Sequence, residues 1–270
     1  MRTLVHISDL HFGRVDEALL GPLANAIQQA APDVLAISGD LTQRAREAQF
    51  RAAADFLRSL PQPQIVVPGN HDVPLYDVLR RFLSPLARFR RHVSADEFPT
   101  FIDEEIAVVG LNTARSLTFK GGRINRDQVA AVAQRFDGLP DAVTRIVVTH
   151  HPFDLPAQGD ESDLVGRATM AMEAFAGCGV DVFLSGHLHH SHVGDTAQRY
   201  RIDGYAALVV QAGTATSTRG RGEANAFNVL RIGREMLELA IWQWQDGPGE
   251  FTEVGSRRFR YEVGRGWGAA

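Results

Sequence analysis

Short apolar runs rich in Val and Ile alternate along the chain with longer stretches whose apolar residues recur at helical spacing. Leu4–Ile7, Val34–Ile37 and Gln64–Val67 read as buried strands. Between them, Ala18–Ala30 carries Leu19, Leu23, Ala26, Ile27 and Ala30 in helical register, and Glu47–Leu60 sets Phe50, Ala53, Ala54 and Leu57 on one face. Asp77–Arg91 continues the helical pattern, with Pro85 expected to interrupt or restart it. Further strands are predicted at Glu105–Leu111, Arg145–Thr149 and Val182–Leu184, and helices at Arg126–Phe136 and Ala168–Ala176. Beyond Gly186 the pattern changes: Tyr200–Ile202, Ala206–Gln211, Phe227–Ile232 and Leu237–Trp244 read as strands joined by short polar turns. A chain that runs βαβαβ early and mostly β late predicts two sheets packed face to face with helices outside. Glycine and proline are scattered rather than gathered into a linker, so residues 1–270 read as one domain.

Composition narrows the class without naming it. The 270 residues are 44% hydrophobic and 22% charged, as in an ordinary soluble domain. With 28 basic and 32 acidic residues the formal charge is −4, which disfavours a general nucleic-acid binder. No run approaches the ~18 apolar residues of a membrane span, and no apolar signal segment opens the chain, so it reads as cytoplasmic. The single cysteine, Cys178, reads as a small buried residue in a reducing compartment.

The informative feature is the short polar segment at the end of each strand. Leu4–Ser8 leads into Asp9-Leu10-His11, Val34–Ser38 into Gly39-Asp40, and Ile65–Val67 into Pro68-Gly69-Asn70-His71-Asp72. Ile146–Thr149 leads into His150-His151-Pro152, and Val182–Ser185 into Gly186-His187-Leu188-His189. Parallel strands deliver their C-terminal loops to one sheet edge, where ligands bind in open α/β sheets. Imidazole nitrogens with carboxylate and amide oxygens, and no thiolate, suit Mn, Fe, Zn or similar first-row ions. The spacings Asp9-x-His11 and His187-x-His189 would point each pair the same way on an extended segment. Taken singly, Asp9 and Asp40 read as well as helix N-caps, Asn70 as a turn residue, and His187, His189, His190 and His192 as a surface histidine cluster. His6 reads as a satisfied interior histidine and His92 as solvent-exposed.

Five such motifs in one order, each after an apolar strand, resemble the motif series of the calcineurin-like metallophosphoesterases, covering residues 3 to 190. Their form is similar to that of the bacterial class III cyclic nucleotide phosphodiesterases and their glycerophosphodiesterase relatives. The resemblance implies a four-layered αββα sandwich, two mixed sheets flanked by helices. It implies two divalent ions, one held by Asp9, His11, Asp40 and His189, the other by Asp40, Asn70, His150 and His187, with Asp40 bridging. It also implies that His71 protonates a leaving oxygen or stabilises phosphoryl charge. Asp72 reads as a carboxylate that orients a metal-coordinating group, as such carboxylates do for histidine ligands. His150 rather than His151 is taken as the ligand because the family uses the first residue of that motif.

The implied activity is hydrolysis of a small phosphodiester by a hydroxide bridging the two ions, with 3′,5′-cyclic nucleotides favoured among substrates. Glycerophosphodiesters or lipid-linked diesters are the alternative; a nuclease or a non-catalytic scaffold fits less well. Loop 112–126 with Arg115, Lys120, Arg123 and Arg126, the pair Arg44 and Arg46, and Arg219 and Arg221 around Gly220 read either as anion contacts or as solvated turns. Phe12 and Phe153 read as a pocket wall or as packing. No motif covers the chain beyond about residue 233, where Trp242 and Trp244 share one strand face and read as core or as the contact of a homo-oligomer.

Overall fold

The computed structural model describes residues 1–118, 120–218 and 222–270, so Arg219 and Arg221 lie outside the described residues. In chain order the first elements are β1 (Arg2–Ile7), α1 (Leu20–Ala30), β2 (Val34–Ile37), α2 (Glu47–Ser59) and β3 (Gln64–Val66). They are followed by α3 (Val78–Leu83), α4 (Ala87–His92), β4 (Thr100–Ile102), β5 (Ile106–Gly110), α5 (Arg126–Phe136) and β6 (Thr144–Val148). Next come α6 (Ala168–Gly177), β7 (Val182–Ser185), β8 (His192–Asp195), α7 (Ala197–Tyr200) and β9 (Leu208–Gln211). The chain closes with β10 (Ala226–Ile232), β11 (Met236–Gln245), β12 (Glu250–Glu262) and β13 (Gly266–Ala269).

The strands form a seven-stranded sheet in the order β13-β12-β11-β10-β1-β2-β3 and a six-stranded sheet in the order β4-β5-β6-β7-β9-β8. Both are mixed. β1, β2 and β3 run parallel, as do β5, β6, β7 and β9, while β10–β13, β4 and β8 are antiparallel to their neighbours.

Period-two alternation divides each central strand between two layers. Leu4, Val34, Ala36, Ile106, Val108, Ile146, Val148 and Leu184 fill the space between the sheets. Their neighbours Val5, Leu35 and Ile37 face α1 and α2, and Ala107, Val109, Val147 and Phe183 face α5 and α6. Strands buried on both faces explain why the sequence shows continuous Val/Ile runs there. The expected four-layered αββα sandwich is the observed one.

Several local expectations need correction. Tyr200–Ile202 is no strand: Tyr200 ends α7, Arg201 turns left-handed at φ 47°, and the Tyr200 hydroxyl donates to the Phe153 carbonyl. Its apolar residues pack onto the outer helical layer instead. His92 is only partly exposed and pairs with Glu47 at 2.5 Å. Cys178 is half-buried at the end of α6. His6 is fully buried, with Nε2 2.9 Å from Ser38 Oγ, as a satisfied interior histidine should be. Pro85 does separate two short helices, α3 and α4.

Beyond residue 233 the chain extends the first sheet. Trp242 stacks on Phe227 with ring centroids 5.7 Å apart, and Trp244 meets Phe251 edge-on at 5.5 Å, so both belong to the packing around the helical face. Trp267 of β13 donates from Nε1 to Asp181 Oδ1 at 2.8 Å, tying the last strand to the loop before β7. No helix among the described residues is long and apolar enough to cross a membrane.

Phe183 anchors the outer layer, 4.9 Å from the Phe153 ring and 5.7 Å from that of Phe175. Phe183→Ala is expected to cost about 3–5 kcal/mol, lowering the thermal midpoint by roughly 10 °C in a chain of this size, measured by differential scanning calorimetry.

Candidate metal centre

The loops after β1, β2 and β3 of the seven-stranded sheet and after β6 and β7 of the six-stranded sheet meet at the C-terminal ends of their strands, so the site is built from both sheets rather than from one sheet edge. Asp9, His11, Asp40, His187 and His189 all adopt left-handed backbone, with φ of 55°, 51°, 52°, 75° and 61°. That region is uncommon for residues with a side chain, and Asp and His enter it more readily than most. The pairs Asp9/His11 and His187/His189 therefore do not converge by alternating along extended chain, as their spacing suggested. Each converges because the backbone coils at both positions, while Leu10 and Leu188 between them are buried.

Neighbouring loops lock this path. Asp9 N donates to Gly39 O at 3.1 Å, His11 N to Asp40 O at 2.9 Å, and Gly186 N to His150 O at 3.1 Å. The loop between β9 and β10 adds Thr214 Oγ1 to Asp9 O at 2.7 Å and Thr216 Oγ1 to Leu10 O at 3.0 Å. Nothing in the sequence marked these threonines. Gly186 is required by close approach: a Cβ there would lie 1.9 Å from Ser8 Oγ and 2.5 Å from Asp9 Oδ2.

Asp9, His11, Asp40 and His189 offer ligand atoms within 4.8 Å of one another, all from buried residues. His11 Nε2 and His189 Nε2 are 3.4 Å apart, and each is 3.5 Å from Asp9 Oδ1. Beside this group His150 Nε2 lies 3.1 Å from Asn70 Oδ1 and 3.3 Å from His187 Nδ1. Asp40 faces both sets, with Oδ2 3.7 Å from His11 Nε2 and Oδ1 3.4 Å from His150 Nε2. The structure thus gathers Asp9, His11, Asp40, Asn70, His150, His187 and His189.

His151 also falls within reach of His150 and His187. Both its nitrogens are taken, however, Nδ1 by Thr113 Oγ1 at 2.8 Å and Nε2 by Lys120 O at 2.9 Å. His150 uses only Nδ1 for support, on Ser38 O at 2.8 Å, and turns Nε2 inward. His190 points away to Glu223 at 3.1 Å, and His192 lies on β8.

The two carboxylates are asymmetrically satisfied. Asp9 Oδ2 accepts from Ser8 Oγ at 2.6 Å and His187 N at 3.0 Å. Its Oδ1, shielded from water, accepts no hydrogen bond among the described residues. A buried carboxylate oxygen left so calls for a cation. The surrounding donor set of imidazole nitrogens, carboxylates and one amide fits first-row divalent ions.

Burial pushes the Asp9 carboxyl up, but His189, His11 and His150 together hold it below the usual carboxylate range. Asp40 is held down against burial by His150, His71 and His11. Burial lowers His150 and the Asp40 charge outweighs it, leaving that imidazole pushed up to about 9. His151 goes the other way, lowered by burial and then by His187 and His150, so it stays neutral.

Asp72 does not touch a ligand histidine. It accepts from Gly69 N at 2.9 Å, Leu41 N at 3.1 Å, Thr42 N at 2.9 Å and Thr42 Oγ1 at 2.9 Å. Its work is to sew the backbone of the Asp40 loop to that of the Asn70 loop. Burial and the Asp40 charge push its carboxyl up to about 6 against those hydrogen bonds. His71 lines the adjoining cavity, with Nδ1 2.9 Å from Gln43 O and Nε2 4.0 Å from Asp40 Oδ2.

One carboxylate carries no mark in the sequence. Asp163 Oδ1 lies 3.4 Å from His187 Nε2 and 2.6 Å from Lys120 Nζ. The His187 contact and Lys120 hold it below the usual carboxylate range. It sits in a polar run, Asp160-Glu161-Ser162-Asp163, with no motif to distinguish it.

The cavity over the two groups holds about 230 Å³, and Arg44 and Lys120 line it together with Val73 and Leu75. Of loop 112–126, Lys120 reaches this cavity. Arg115 instead braces the loop, donating to Arg123 O at 3.0 Å and Gln128 Oε1 at 2.8 Å. Arg46 is exposed, and Phe12 and Phe153 are buried packing residues.

A fold with helices outside two mixed sheets, carrying a histidine–carboxylate cluster at the strand ends, defines the metallophosphoesterase class. The family model described as calcineurin-like phosphoesterase matches residues 2–191, and the chain belongs to that family. Over 170 residues it is 26% identical to the glycerophosphodiester phosphodiesterase GpdQ of Enterobacter lignolyticus, covering 56% of this chain and 58% of that protein. Over 168 residues it is 27% identical to the 3′,5′-cyclic adenosine monophosphate phosphodiesterase CpdA of Escherichia coli K12, covering 57% and 56%. The chain thus spans less than three fifths of the length of these relatives. The structure of PhoD superposes with a TM-score of 0.74 at 10% identity, covering all of this chain and 71% of that one, a likeness of fold.

Gly186→Ala drives a methyl group against Ser8 and Asp9 and is expected to weaken manganese binding about tenfold or more, the scale of losing a ligand's support. Gly177→Ala, which meets nothing within 4 Å, should bind as the unaltered protein does. Metal titration of both variants checks this.

Proposed function

We propose that this protein is a metal-dependent phosphodiesterase for a small diester, with 3′,5′-cyclic nucleotides the favoured substrates. The observation that carries the reading is Asp40: one buried carboxylate with an oxygen turned to each of two adjoining ligand sets. In this reading Asp9, His11, Asp40 and His189 hold one ion, and Asp40, Asn70, His150 and His187 hold the other. Two divalent ions would supply Lewis acidity to the phosphoryl oxygens and acidify water for attack.

The chain's own groups complete the chemistry. His71 donates Nδ1–H to Gln43 O, which leaves Nε2 as the atom that carries a proton to the departing ester oxygen. Arg44 and Lys120 flank the cavity and attract the diester anion although the whole chain is negative. Asp72 acts as a positioning residue, fixing the Asp40 and Asn70 loops in register. A cavity of about 230 Å³ suits a small diester better than a polymer strand. Glycerophosphodiesters are the second reading, supported by the similarity to GpdQ, which matches that to CpdA in extent.

The test is a panel of cyclic nucleotides, glycerophosphodiesters, phosphomonoesters and nucleic acids compared by kcat/KM with manganese, metal content being measured in parallel. Diesters should lead, and preference for monoesters would overturn the reading. His71→Ala is expected to lower kcat against bis(p-nitrophenyl) phosphate by about 10²–10⁴-fold while retaining bound metal. Metal lost in step with activity would place His71 among the ligands. Chelation by EDTA should abolish hydrolysis, and added manganese should restore it.

A further inference from the structure

Asp163 reaches the histidine cluster from a segment that carries none of the five motifs. It closes a single 3₁₀ turn, Glu161–Asp163, between β6 and α6. Val165 N donates to Pro152 O at 2.9 Å and Gly166 N to Gly122 O at 2.8 Å. The turn is therefore tied both to the His150 motif and to the loop carrying Lys120. The Asp163 side chain is 7% exposed, and its Oδ1 faces His187 Nε2.

His187 is oriented differently from the other histidines gathered there. His11 and His189 approach each other through their Nε2 atoms, and His150 turns Nε2 inward while Nδ1 rests on Ser38 O. His187 instead turns Nδ1 inward, 3.3 Å from His150 Nε2, and Nε2 outward. A neutral imidazole has one N–H and one lone pair. For the lone pair to face the ligand set from Nδ1, the proton must sit on Nε2. That atom is shielded from water and completes no hydrogen bond among the described residues. A buried donor left so is costly, and the carboxylate oxygen 3.4 Å away is placed to accept from it.

We propose that Asp163 is a positioning residue for His187. Its carboxylate takes Nε2–H, fixes the tautomer with a free lone pair on Nδ1, and so presents that nitrogen to the ion shared by Asp40, Asn70 and His150. The inference rests on the two-ion reading above and adds a residue that the motifs do not contain. A competing role is a brace for Lys120 alone, whose ammonium lies 2.6 Å from the same oxygen and is 54% exposed. The two roles differ in what each variant does to the metal.

The experiment is manganese titration of the full chain, read by calorimetry and by electron paramagnetic resonance, which separates a lone Mn²⁺ from a coupled pair. The unaltered protein is expected to take two ions. Asp163→Leu, of similar bulk and without an acceptor, should weaken one of them about 10–100-fold, leaving the spectrum of a single ion. Asp163→Asn keeps an oxygen that can accept from Nε2 and should recover most of that loss. Lys120→Met should retain both ions. Circular dichroism verifies folding, and Asp163→Ala repeats the measurement where the leucine is not accommodated. One ion in the unaltered protein overturns the two-ion reading and this role with it. Where the unaltered protein binds two, undiminished affinity in Asp163→Leu and Asp163→Ala overturns the role of Asp163 alone. So does loss of both ions in step, an asparagine variant no better than the leucine one, or an equal loss in Lys120→Met.

Discussion

Two carboxylates, Asp9 and Asp40, sit where water does not reach, and the geometry of the site comes from making that tolerable. An unpaired buried carboxylate costs several kcal/mol. One oxygen of Asp9 is met by Ser8 Oγ and the His187 amide, and one of Asp40 by the His71 amide at 2.8 Å. The remaining oxygens face imidazoles. Protons can neutralise that cluster, which is why His150 is pushed up to about 9. Divalent ions neutralise it better, because ligand histidines must be neutral and release their protons on binding. In the proposed metal-bound state the same side chains would act as ligands, and metal uptake would be linked to proton release.

Holding those groups together strains the backbone. Of the nine non-glycine residues in left-handed conformation among the described residues, five bear site side chains, each at a cost of order 1 kcal/mol or more. What overdetermines them is the sheet edge beneath. β1 and β2 are paired in register through Ile7 and Ile37, so the two loops beyond them leave side by side and exchange hydrogen bonds at once. β6 and β7 do the same in the second sheet. The fully packed layers between and outside the sheets fix the strand ends, and the strand ends fix the ligand atoms.

This division explains what the sequence could and could not tell. The central strands were legible because they are buried on both faces and short, and the seven inward-facing residues because each comes just after such a strand. β12 was not legible: its Glu250–Glu262 segment is largely exposed, with Phe251 and Phe259 the residues it buries, so no alternation announces a strand. β4 and β8 are short edge strands with the same deficit. The loop geometry at Asp9-x-His11 misled because spacing reports periodicity only within regular structure, and coiled backbone obeys none. Asp72 was found by position, but the means by which it supports its neighbours was not legible, since a carboxylate that gathers backbone amides leaves the same mark in a motif as one that orients a histidine.

The motif's second histidine shows how a site motif also builds the cavity wall. His151 is fully buried and engages Thr113 through one nitrogen and the Lys120 carbonyl through the other. A Cβ at Gly122 would lie 2.2 Å from its Nδ1, so the chain can pass over the ring only as glycine. His151 therefore fixes the path of the loop on which Lys120 rides. Asp163 then draws the Lys120 ammonium and the outer nitrogen of His187 to a single oxygen. Burial keeps His151 neutral, and a neutral imidazole can serve here as donor to the Lys120 carbonyl and acceptor from the Thr113 hydroxyl. The cation beside the cavity and the histidine beneath it are thus placed by one connected set of contacts. A displacement of that loop would be felt at His187 through Asp163, which makes the cavity wall and the metal-facing side chains one mechanical unit.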